Sequence, residues 1–356
     1  MSASSTIFYA SSTVLVFNAL VWLSDQLQAS SECPDSRRRK KKAIPSRTIE
    51  VCCDSVAAAV TSARGGCNSV ELCTNRAEGG VTPSIGMIKE VVHQLKATNV
   101  LIHVLIRPRE GDFVYDGMEF DVMLRDIITC MEAGVDGIVV GLLTKEGDID
   151  VERLEIIKNI VGDQMIITFH RAFDQCKDAL QALEVIIKAS CDRLLTSGQC
   201  NSALQGVDEL AKLINASNNR INIVAAAGVN AENAATIISQ TNVTAMHVGS
   251  AVVVQSSNAG VESAMKNVNV GLGTSSNIYS FSRVCGSLVA DVVDACRKAW
   301  TASKPVEPAQ SSGKKALSVD VDSPIPSDAA AAHPDGSDDF VHITKSATNS
   351  PRIQLV

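Results

Sequence analysis

The chain has 356 residues, of which 46% are hydrophobic and 20% charged, a composition typical of a globular protein that buries a sizeable core. Its net charge of -7 argues against a general nucleic-acid surface, which would need clustered excess lysine and arginine, so we expect no DNA or RNA partner. The 11 cysteines lie between Cys33 and Cys296 without a CxxC pair or zinc-finger spacing, which favours a reducing compartment over a disulfide scaffold or a structural zinc site.

The two ends of the chain differ in composition from its middle. An uncharged stretch from Ile7 to Leu23 suits a short signal anchor or signal-peptide core, although its length of about 17 residues is at the lower limit for a bilayer span. The basic run from Arg37 to Lys42 fits a solvated linker better than a nuclear signal. We therefore predict a leader over residues 1–46 and, because residues 301–356 are rich in Ser, Pro, Ala and Asp, a disordered tail there.

Strand-like and helix-like segments alternate between these ends. Apolar runs predict strands at Thr48–Cys53, Ser69–Cys73, Val100–Arg107, Gly137–Gly141, Met165–His170, Arg193–Thr196, Ile221–Ala226 and Thr244–Val248. Helical patterns lie at Val56–Gly65, Ser84–Leu95, Glu119–Ala133, Val151–Val161, Ala179–Ala189, Leu204–Ile214 and Ala231–Gln240. About eight such repeats predict parallel strands closed into a single-domain TIM-type (β/α)8 barrel over residues 47–300. An open doubly wound sheet is the alternative, but no GxGxxG motif follows the first strand.

The first two predicted strands carry polar residues at alternate positions. Glu50 and Cys52 share one face of the first strand, and Glu71 and Cys73 share one face of the second, because side chains alternate along a strand. The outer face of a barrel strand must be apolar in order to pack against helices. The sequence therefore predicts that these carboxylates and thiols point into the barrel.

Polar residues also gather where the third and fifth strands end. His103 and Arg107 share one face of the third strand, and His170 ends the fifth strand, followed by Arg171 and Asp174. Barrel enzymes keep their catalytic residues at the C-terminal mouth, so we predict a functional site there. An ion-pair network that only holds the interior together is the alternative.

Two loops at this mouth contain groups suited to an anion. The loop Arg107–Tyr115 carries Arg109 and Asp112 on a Pro/Gly framework, and arginine forks bind carboxylate or phosphate, but a salt-bridged surface loop is equally consistent with the sequence. Ser197 and Gly198 follow the sixth strand. Loops in this part of a barrel often supply backbone N–H groups to phosphate, although Ser-Gly also simply makes turns.

Cys52 and Cys73 are candidates for binding one metal ion together. Adjacent strands lie about 4.8 Å apart, and two metal–thiolate bonds of about 2.3 Å span roughly 4.6 Å, so both sulfurs could reach the same ion. Cu(I) tolerates two or three thiolate ligands, whereas zinc would need a fourth group. Two buried cysteines packed as small apolar residues are the alternative.

Four stretches resemble the CutC copper-homeostasis family in residues, order and spacing. They are VELCTNRAEGGVTPS (Val70–Ser84), IRPREGDFVY (Ile106–Tyr115), TFHRAFD (Thr168–Asp174) and LTSGQ (Leu195–Gln199). The resemblance covers residues 48–251 and continues more weakly beyond them. It implies a TIM-type barrel, a mainly cytoplasmic protein and a role in copper handling, with Cu(I) as the bound ion.

The resemblance also implies functions for individual residues. The copper ligands proposed for the family correspond to Cys52 and Cys73, and its mouth residues correspond to Glu50, Glu71, His103, Arg107, Arg109, Asp112, His170, Arg171 and Asp174. Two departures occur late in the chain. Alanines precede Gly228 where the family has a glycine-rich turn, and Ser250–Val252 lacks an arginine that the family has. These departures weaken the case for a phosphate-type ligand more than the case for copper.

Three hypotheses follow. The first is a copper-homeostasis protein that binds Cu(I) through Cys52 and Cys73. The second is a lyase, isomerase or hydrolase acting on a small anionic metabolite, with Glu50 or Glu71 as general base, His170 as general acid and an arginine of the third-strand loop as ligand clamp. The third is a barrel scaffold that performs no chemistry and serves protein contacts.

The expected partners are a copper ion and, in the second hypothesis, a small anionic ligand. Barrels often pair through their outer helices, so a homo-oligomer is also consistent with the sequence. We expect a cytoplasmic protein, with membrane or secretory targeting as the alternative if the segment from Ile7 to Leu23 is retained, and with the basic run allowing nuclear entry as well.

Overall fold

The computed structural model describes residues 40–257 and 280–303. The apolar part of the predicted leader and the predicted tail after residue 303 lie outside this range. Within the range, no helix is both long enough and apolar enough to cross a bilayer.

Eight parallel strands close into a barrel, which confirms the predicted fold class. They are β1 (Thr48–Cys53), β2 (Ser69–Leu72), β3 (Leu101–Leu105), β4 (Gly137–Val140), β5 (Ile166–Phe169), β6 (Arg193–Thr196), β7 (Asn222–Ala225) and β8 (Ala245–Val248). Each strand pairs with the next in the chain, and β8 pairs with β1 so that His247 lies opposite Glu50. This last pairing closes the ring.

Helices follow the strands and cover the outside of the barrel. They are α1 (Val56–Arg64), α2 (Ile85–Leu95), α3 (Gly117–Ala133), α4 (Val151–Val161), α5 (Ala179–Lys188), α6 (Val207–Ser217), α7 (Ala234–Thr241) and α8 (Gly286–Ala302). Several start at side-chain caps. At α3, for example, Asp116 accepts from the backbone N–H of Glu119, whose carboxylate accepts in turn from the backbone N–H of Asp116.

Two helices begin three residues later than the sequence predicts. The turn before α6 ends at Gly206, where a Cβ would lie 1.9 Å from the carbonyl oxygen of Ser197, so the backbone approaches too closely there for any other residue. Before α7, the side chain of Asn230 accepts from the backbone N–H groups of Glu232 and Asn233 and forms a separate turn. Local side-chain hydrogen bonds therefore delay the start of α7.

Two features after β8 were not among the predicted elements. A two-stranded antiparallel ribbon pairs β9 (Val253–Ser257) with β10 (Ser280–Val284), and α8 follows it. Helix α8 packs against α7 and α1, and the indole N–H of Trp300 donates to the carbonyl of Val243 at 2.8 Å. This helix covers the side of the barrel where the first and last strands meet.

The inner and outer faces of the strands differ sharply in polarity. Outward residues such as Val51 and Val104 belong to the main apolar core between strands and helices. Inward positions near the middle of the barrel carry Glu50, His103 and Arg193, all at most 1% exposed. The polar interior of the barrel is therefore sealed from solvent and must satisfy its own charges.

Candidate functional site

A cavity of about 940 Å³ opens at the C-terminal mouth of the barrel, formed by strand ends and the loops after them. Strands β1, β2 and β8 contribute Cys52, Glu71 and His247 to its lining, and the positions directly after β2 and β5 contribute Cys73 and His170. The predicted mouth site thus coincides with a large concave space, the usual setting of a binding site in this fold.

Two thiols meet at the floor of this cavity. Cys52 is the second-last residue of β1, Cys73 follows β2, and their Sγ atoms lie 3.4 Å apart, in contact as two free thiols. Gly80 allows the following loop to pass close by, because a Cβ there would lie 3.2 Å from the Cβ of Cys73 and 2.9 Å from Leu105. The residues present therefore bring two sulfur donors to one point.

Two further donors lie beside the thiols. Three residues each offer one ligand atom here, and these atoms lie within 4.8 Å of one another: they belong to Cys52, Glu71 and His247. The His247 Nε2 atom lies 3.5 Å from the Glu71 carboxylate. Cys73 adjoins this group of three through its sulfur contact with Cys52, so the cluster offers sulfur, nitrogen and carboxylate oxygen donors, a set that suits soft or borderline metal ions.

Protonation within this cluster is set by burial and by close neighbours. The hydrogen bond with Cys73 and then burial raise the pKa of the Cys52 thiol well above its ordinary value. Burial by itself would lower the pKa of His247, but the Glu71 carboxylate and the bonds to Cys52 and Glu50 raise it well above the ordinary value. Burial raises the pKa of Glu71. His247 therefore carries a positive charge between two acidic groups at neutral pH.

A buried ionic network lies directly beneath the metal-ligand cluster and is centred on Glu50. The carboxylate of Glu50 contacts His103 Nδ1 at 2.6 Å, Arg193 Nη1 at 2.7 Å, the Ser69 hydroxyl at 2.8 Å and His247 Nδ1 at 3.0 Å. Burial opposes ionisation, but Arg193 and the two histidines hold the pKa of Glu50 well below its ordinary value. The network orients the His247 ring so that Nε2 faces the cluster.

His247 and Arg193 are two basic members of this site that the sequence patterns above did not single out. Each is the one charged or basic residue at an inward position of a four-residue apolar strand, β8 or β6. Applying the alternation rule to these two strands would have identified them, because a charged inward residue in a short barrel strand needs a buried partner.

His170 lies at the cavity wall with one ring nitrogen already engaged. Its Nδ1 atom accepts from the backbone N–H of Ala172 at 3.0 Å, and its ring contacts Phe113 with centroids 4.9 Å apart. Burial, and then the charge of Arg107, lower the pKa of His170 to about 3. The ring is therefore neutral at neutral pH, and its proton is on Nε2 because Nδ1 is an acceptor.

Arg107 lies at the same wall and holds two loops in position. Its Nη1 donates to the carbonyls of Glu78 and Gly80, and its Nη2 donates to that of Gly111, at 2.8 to 2.9 Å. Its guanidinium also stacks 5.0 Å from the centroid of Phe113. Three of its five N–H groups are thus engaged by backbone oxygens.

Arg109 and Asp112 are not brought into the cavity. All five N–H groups of Arg109 bind within its own loop and the start of α3, to Glu119, Asp112 and three backbone carbonyls. Neither residue is part of the cavity lining. In this loop the structure corresponds to the salt-bridged alternative of the sequence analysis rather than to an arginine fork that faces a ligand.

The remaining mouth residues are largely engaged with one another. Asp174 accepts from the backbone N–H and the hydroxyl of Ser197, and Arg171 donates to Asp174 at 2.7 Å and to Ser197 at 3.1 Å. Gly198 is in the left-handed region and would clash with Gly206 if it had a Cβ. Arg171 and Asp174 line the cavity wall, whereas Ser197 and Gly198 lie behind it, as do Glu50 and His103.

Comparisons with known proteins agree with this architecture. A model of the CutC family matches residues 47–252. A CutC family protein from Chromobacterium violaceum is 38% identical over 256 residues, 71% of this chain and 99% of that protein, and one from Vibrio atlanticus is 44% identical over 201 residues, 56% and 80%. The crystal structure of a candidate copper homeostasis protein, CutC, from Streptococcus agalactiae has a TM-score of 0.54 at 32% identity and covers 57% of this chain and 98% of that one.

Proposed function

Because the chain belongs to the CutC family, we propose that it serves copper homeostasis by binding Cu(I) as its cargo through Cys52 and Cys73, with His247 as a third ligand. The observation that carries this proposal is the contact between the two Sγ atoms, 3.4 Å apart at the floor of the mouth cavity. The solved relative from Streptococcus agalactiae is itself named for copper homeostasis, which supports the choice of metal.

The donor geometry favours a bent arrangement around the ion. Two opposed metal–sulfur bonds of about 2.3 Å would separate the sulfurs by about 4.6 Å, so sulfurs 3.4 Å apart would hold an ion at roughly a right angle. Such an angle leaves one side of the ion open to a further donor. His247 Nε2 is in that neighbourhood, and the hydrogen bond from Nδ1 to Glu50 directs it there. Because the ring is protonated without the ion, binding at Nε2 would release that proton to solvent.

Copper in this oxidation state persists where the surroundings are reducing. All ten cysteines within the described residues are free thiols, and the two at the cavity floor must remain reduced to bind the ion. We therefore place the function in a reducing compartment such as the cytoplasm.

Copper titration of the full-length protein tests this proposal. We expect the wild-type protein to bind one Cu(I) in anaerobic competition with the chromophoric chelator bicinchoninate. The double variant Cys52→Ser, Cys73→Ser should bind at least about 100-fold more weakly, because each thiolate supplies a large share of the binding free energy of a soft metal. Cys200→Ser is the matched control, because Cys200 lines the same cavity outside the metal-ligand cluster and should not affect binding.

His247→Asn tests the third ligand. The asparagine amide can replace Nδ1 in the bond to Glu50, whereas nothing replaces Nε2, so we expect Cu(I) affinity to fall by about tenfold. Equal Cu(I) affinity of the wild type and the double cysteine variant would exclude this site. Tighter binding of Zn(II) than of Cu(I) under the same conditions would exclude copper as the preferred ion.

A further inference from the structure

Two basic side chains at the cavity wall each have an N–H group to offer. Arg107 and His170 both line the mouth cavity and are both 6% exposed. Within residues 40–257 and 280–303, Arg107 Nε and His170 Nε2 are buried atoms that have no hydrogen-bond partner. A buried N–H group without a partner is unfavourable, so a ligand that accepts from both groups would gain affinity from satisfying them.

The charge of Arg107 is also uncompensated by any carboxylate among the described residues. Its bonds go to three backbone carbonyls, whereas the other arginines lining the cavity have acidic partners, Arg76 with Asp54 at 2.8 Å and Arg171 with Asp174 at 2.7 Å. A buried guanidinium is costly unless a negative charge lies close to it. The electrostatics at this wall therefore favour an anion.

The two donors are held in fixed positions relative to each other. The Phe113 ring contacts both, with its centroid 5.0 Å from the Arg107 guanidinium and 4.9 Å from the His170 ring, which is tilted by 56°. Gly141 gives His170 its space, because a Cβ at that position would lie 2.1 Å from the imidazole Cε1. The bond from Ala172 N–H to Nδ1 fixes the ring so that Nε2 is the free nitrogen.

We propose that Arg107 and His170 form a binding site for a small oxyanion, a carboxylate or a phosphate group, separate from the two thiols. Arg107 supplies the charge and the Nε–H, and His170 supplies a neutral Nε2–H. The cavity, at about 940 Å³, is far larger than a metal ion needs and has room for a small organic anion. The site would therefore accept an anionic metabolite at the wall of the same cavity whose floor carries the thiols.

Calorimetric titration of the metal-free, full-length protein tests this inference, with inorganic phosphate and malonate as separate probes. We expect saturable binding of one equivalent of at least one probe, and the probe that binds identifies the oxyanion. Arg107→Lys keeps the charge but removes the Nε–H, and His170→Asn keeps an acceptor for Ala172 N–H but removes Nε2. Each should weaken binding about tenfold or more, the size expected for one hydrogen bond to a charged group.

Arg109→Lys is the matched control, because Arg109 lies outside the cavity lining, and it should leave binding unchanged. The Cys52→Ser, Cys73→Ser variant should still bind the anion, and His170→Asn should still bind Cu(I), so this inference and the copper proposal can fail independently. If the Arg107→Lys variant unfolds at a lower temperature than the wild type, anion binding by the His170→Asn variant tests the inference by itself. Absence of saturable binding by both probes, or wild-type affinity in His170→Asn, would overturn the inference.

Discussion

At the scale of single residues, the barrel interior depends on charges that compensate one another. Glu50 is ionised beside Arg193 and two histidines, all of them buried. Removing one partner from such a network usually costs about 3 to 5 kcal/mol, because the other charge is left buried and unpaired. The network therefore makes the fold dependent on the same residues that orient His247, and substitutions at Glu50 would confound folding with metal binding.

His170 should make stability depend on pH. Its pKa is about 3 in the folded protein and near its ordinary value of 6.5 in the unfolded chain. Between these values the unfolded chain binds a proton that the folded protein does not. The contribution of His170 to stability is therefore fully present above pH 6.5 and is lost as the pH falls towards 3. From pH 7.5 to pH 5 the loss from this residue should be about 2 kcal/mol.

Urea denaturation at intervals between pH 7.5 and pH 5 measures this effect. The control is His170→Asn, which has no titrating group at this position and should show a correspondingly smaller loss. Other titrating groups, including Glu71 with its raised pKa, are present in both proteins and therefore cancel in the comparison. Parallel pH profiles for the wild type and the variant would show that the burial of a neutral His170 is not what makes the protein acid-sensitive.

At the scale of elements, the end of strand β4 packs closely against the short helical turn after β5, and a glycine makes this contact possible. Gly141 follows β4, and a Cβ there would lie 2.1 Å from His170 Cε1 and 2.8 Å from the Cβ of Ala172. The carbonyl of Val140 also accepts from the His170 backbone N–H at 2.7 Å, so the two segments cannot separate easily. The position of the His170 ring thus depends on the absence of a side chain on a neighbouring strand.

Gly141→Ala should lower the free energy of unfolding by about 1 to 3 kcal/mol, because overpacking a tight core forces side chains and backbone to shift. Urea denaturation measures this change. Gly86→Ala is the matched control. Gly86 lies in α2 with open space around its Cβ position, so alanine there should stabilise by about 0.5 to 1 kcal/mol. Equal stability of Gly141→Ala and the wild type would mean that the His170 turn moves freely.

At the scale of the whole molecule, the last described helix covers the outside of the barrel near the place where its first and last strands pair. Helix α8 buries Val289, Val292, Val293, Cys296 and Trp300 against the rest of the structure. Trp300 bonds to the carbonyl of Val243 just before β8, and the Arg47 guanidinium just before β1 lies 5.8 Å from its ring. One residue of α8 thus contacts both segments that lead into the closing pair of strands.

Trp300→Ala should destabilise the protein by about 3 to 5 kcal/mol, the usual cost of removing a large buried aromatic side chain. Trp300→Phe keeps most of the apolar contact but leaves the Val243 carbonyl without its donor, so its cost should be nearer 1 to 3 kcal/mol. Guanidinium denaturation of both variants gives the comparison. A cost below 1 kcal/mol for Trp300→Ala would show that α8 contributes little to closure.

Several features of the fold were predictable because they depend on local rules. The alternation of apolar runs and amphipathic segments predicted all eight strands, with β1 and β6 at their observed bounds. Alternation along β1 and β2 also predicted that Cys52 and Cys73 share the interior, since any closed barrel turns every second residue inward. The predicted starts of α6 and α7 were wrong by three residues, because a close backbone approach at Gly206 and the side-chain hydrogen bonds of Asn230 form turns before these helices.

The sequence by itself determined the barrel, its polar interior and the pair of thiols, since period-two patterning and chain order act over a few residues. Only the tertiary structure decided which loop arginine faces the cavity, because Arg107 and Arg109 lie two residues apart in the same loop and bind different partners. It also brought His247 to Glu50, 197 positions apart in the chain, because the closing contact of β8 with β1 forms only when the ring is complete.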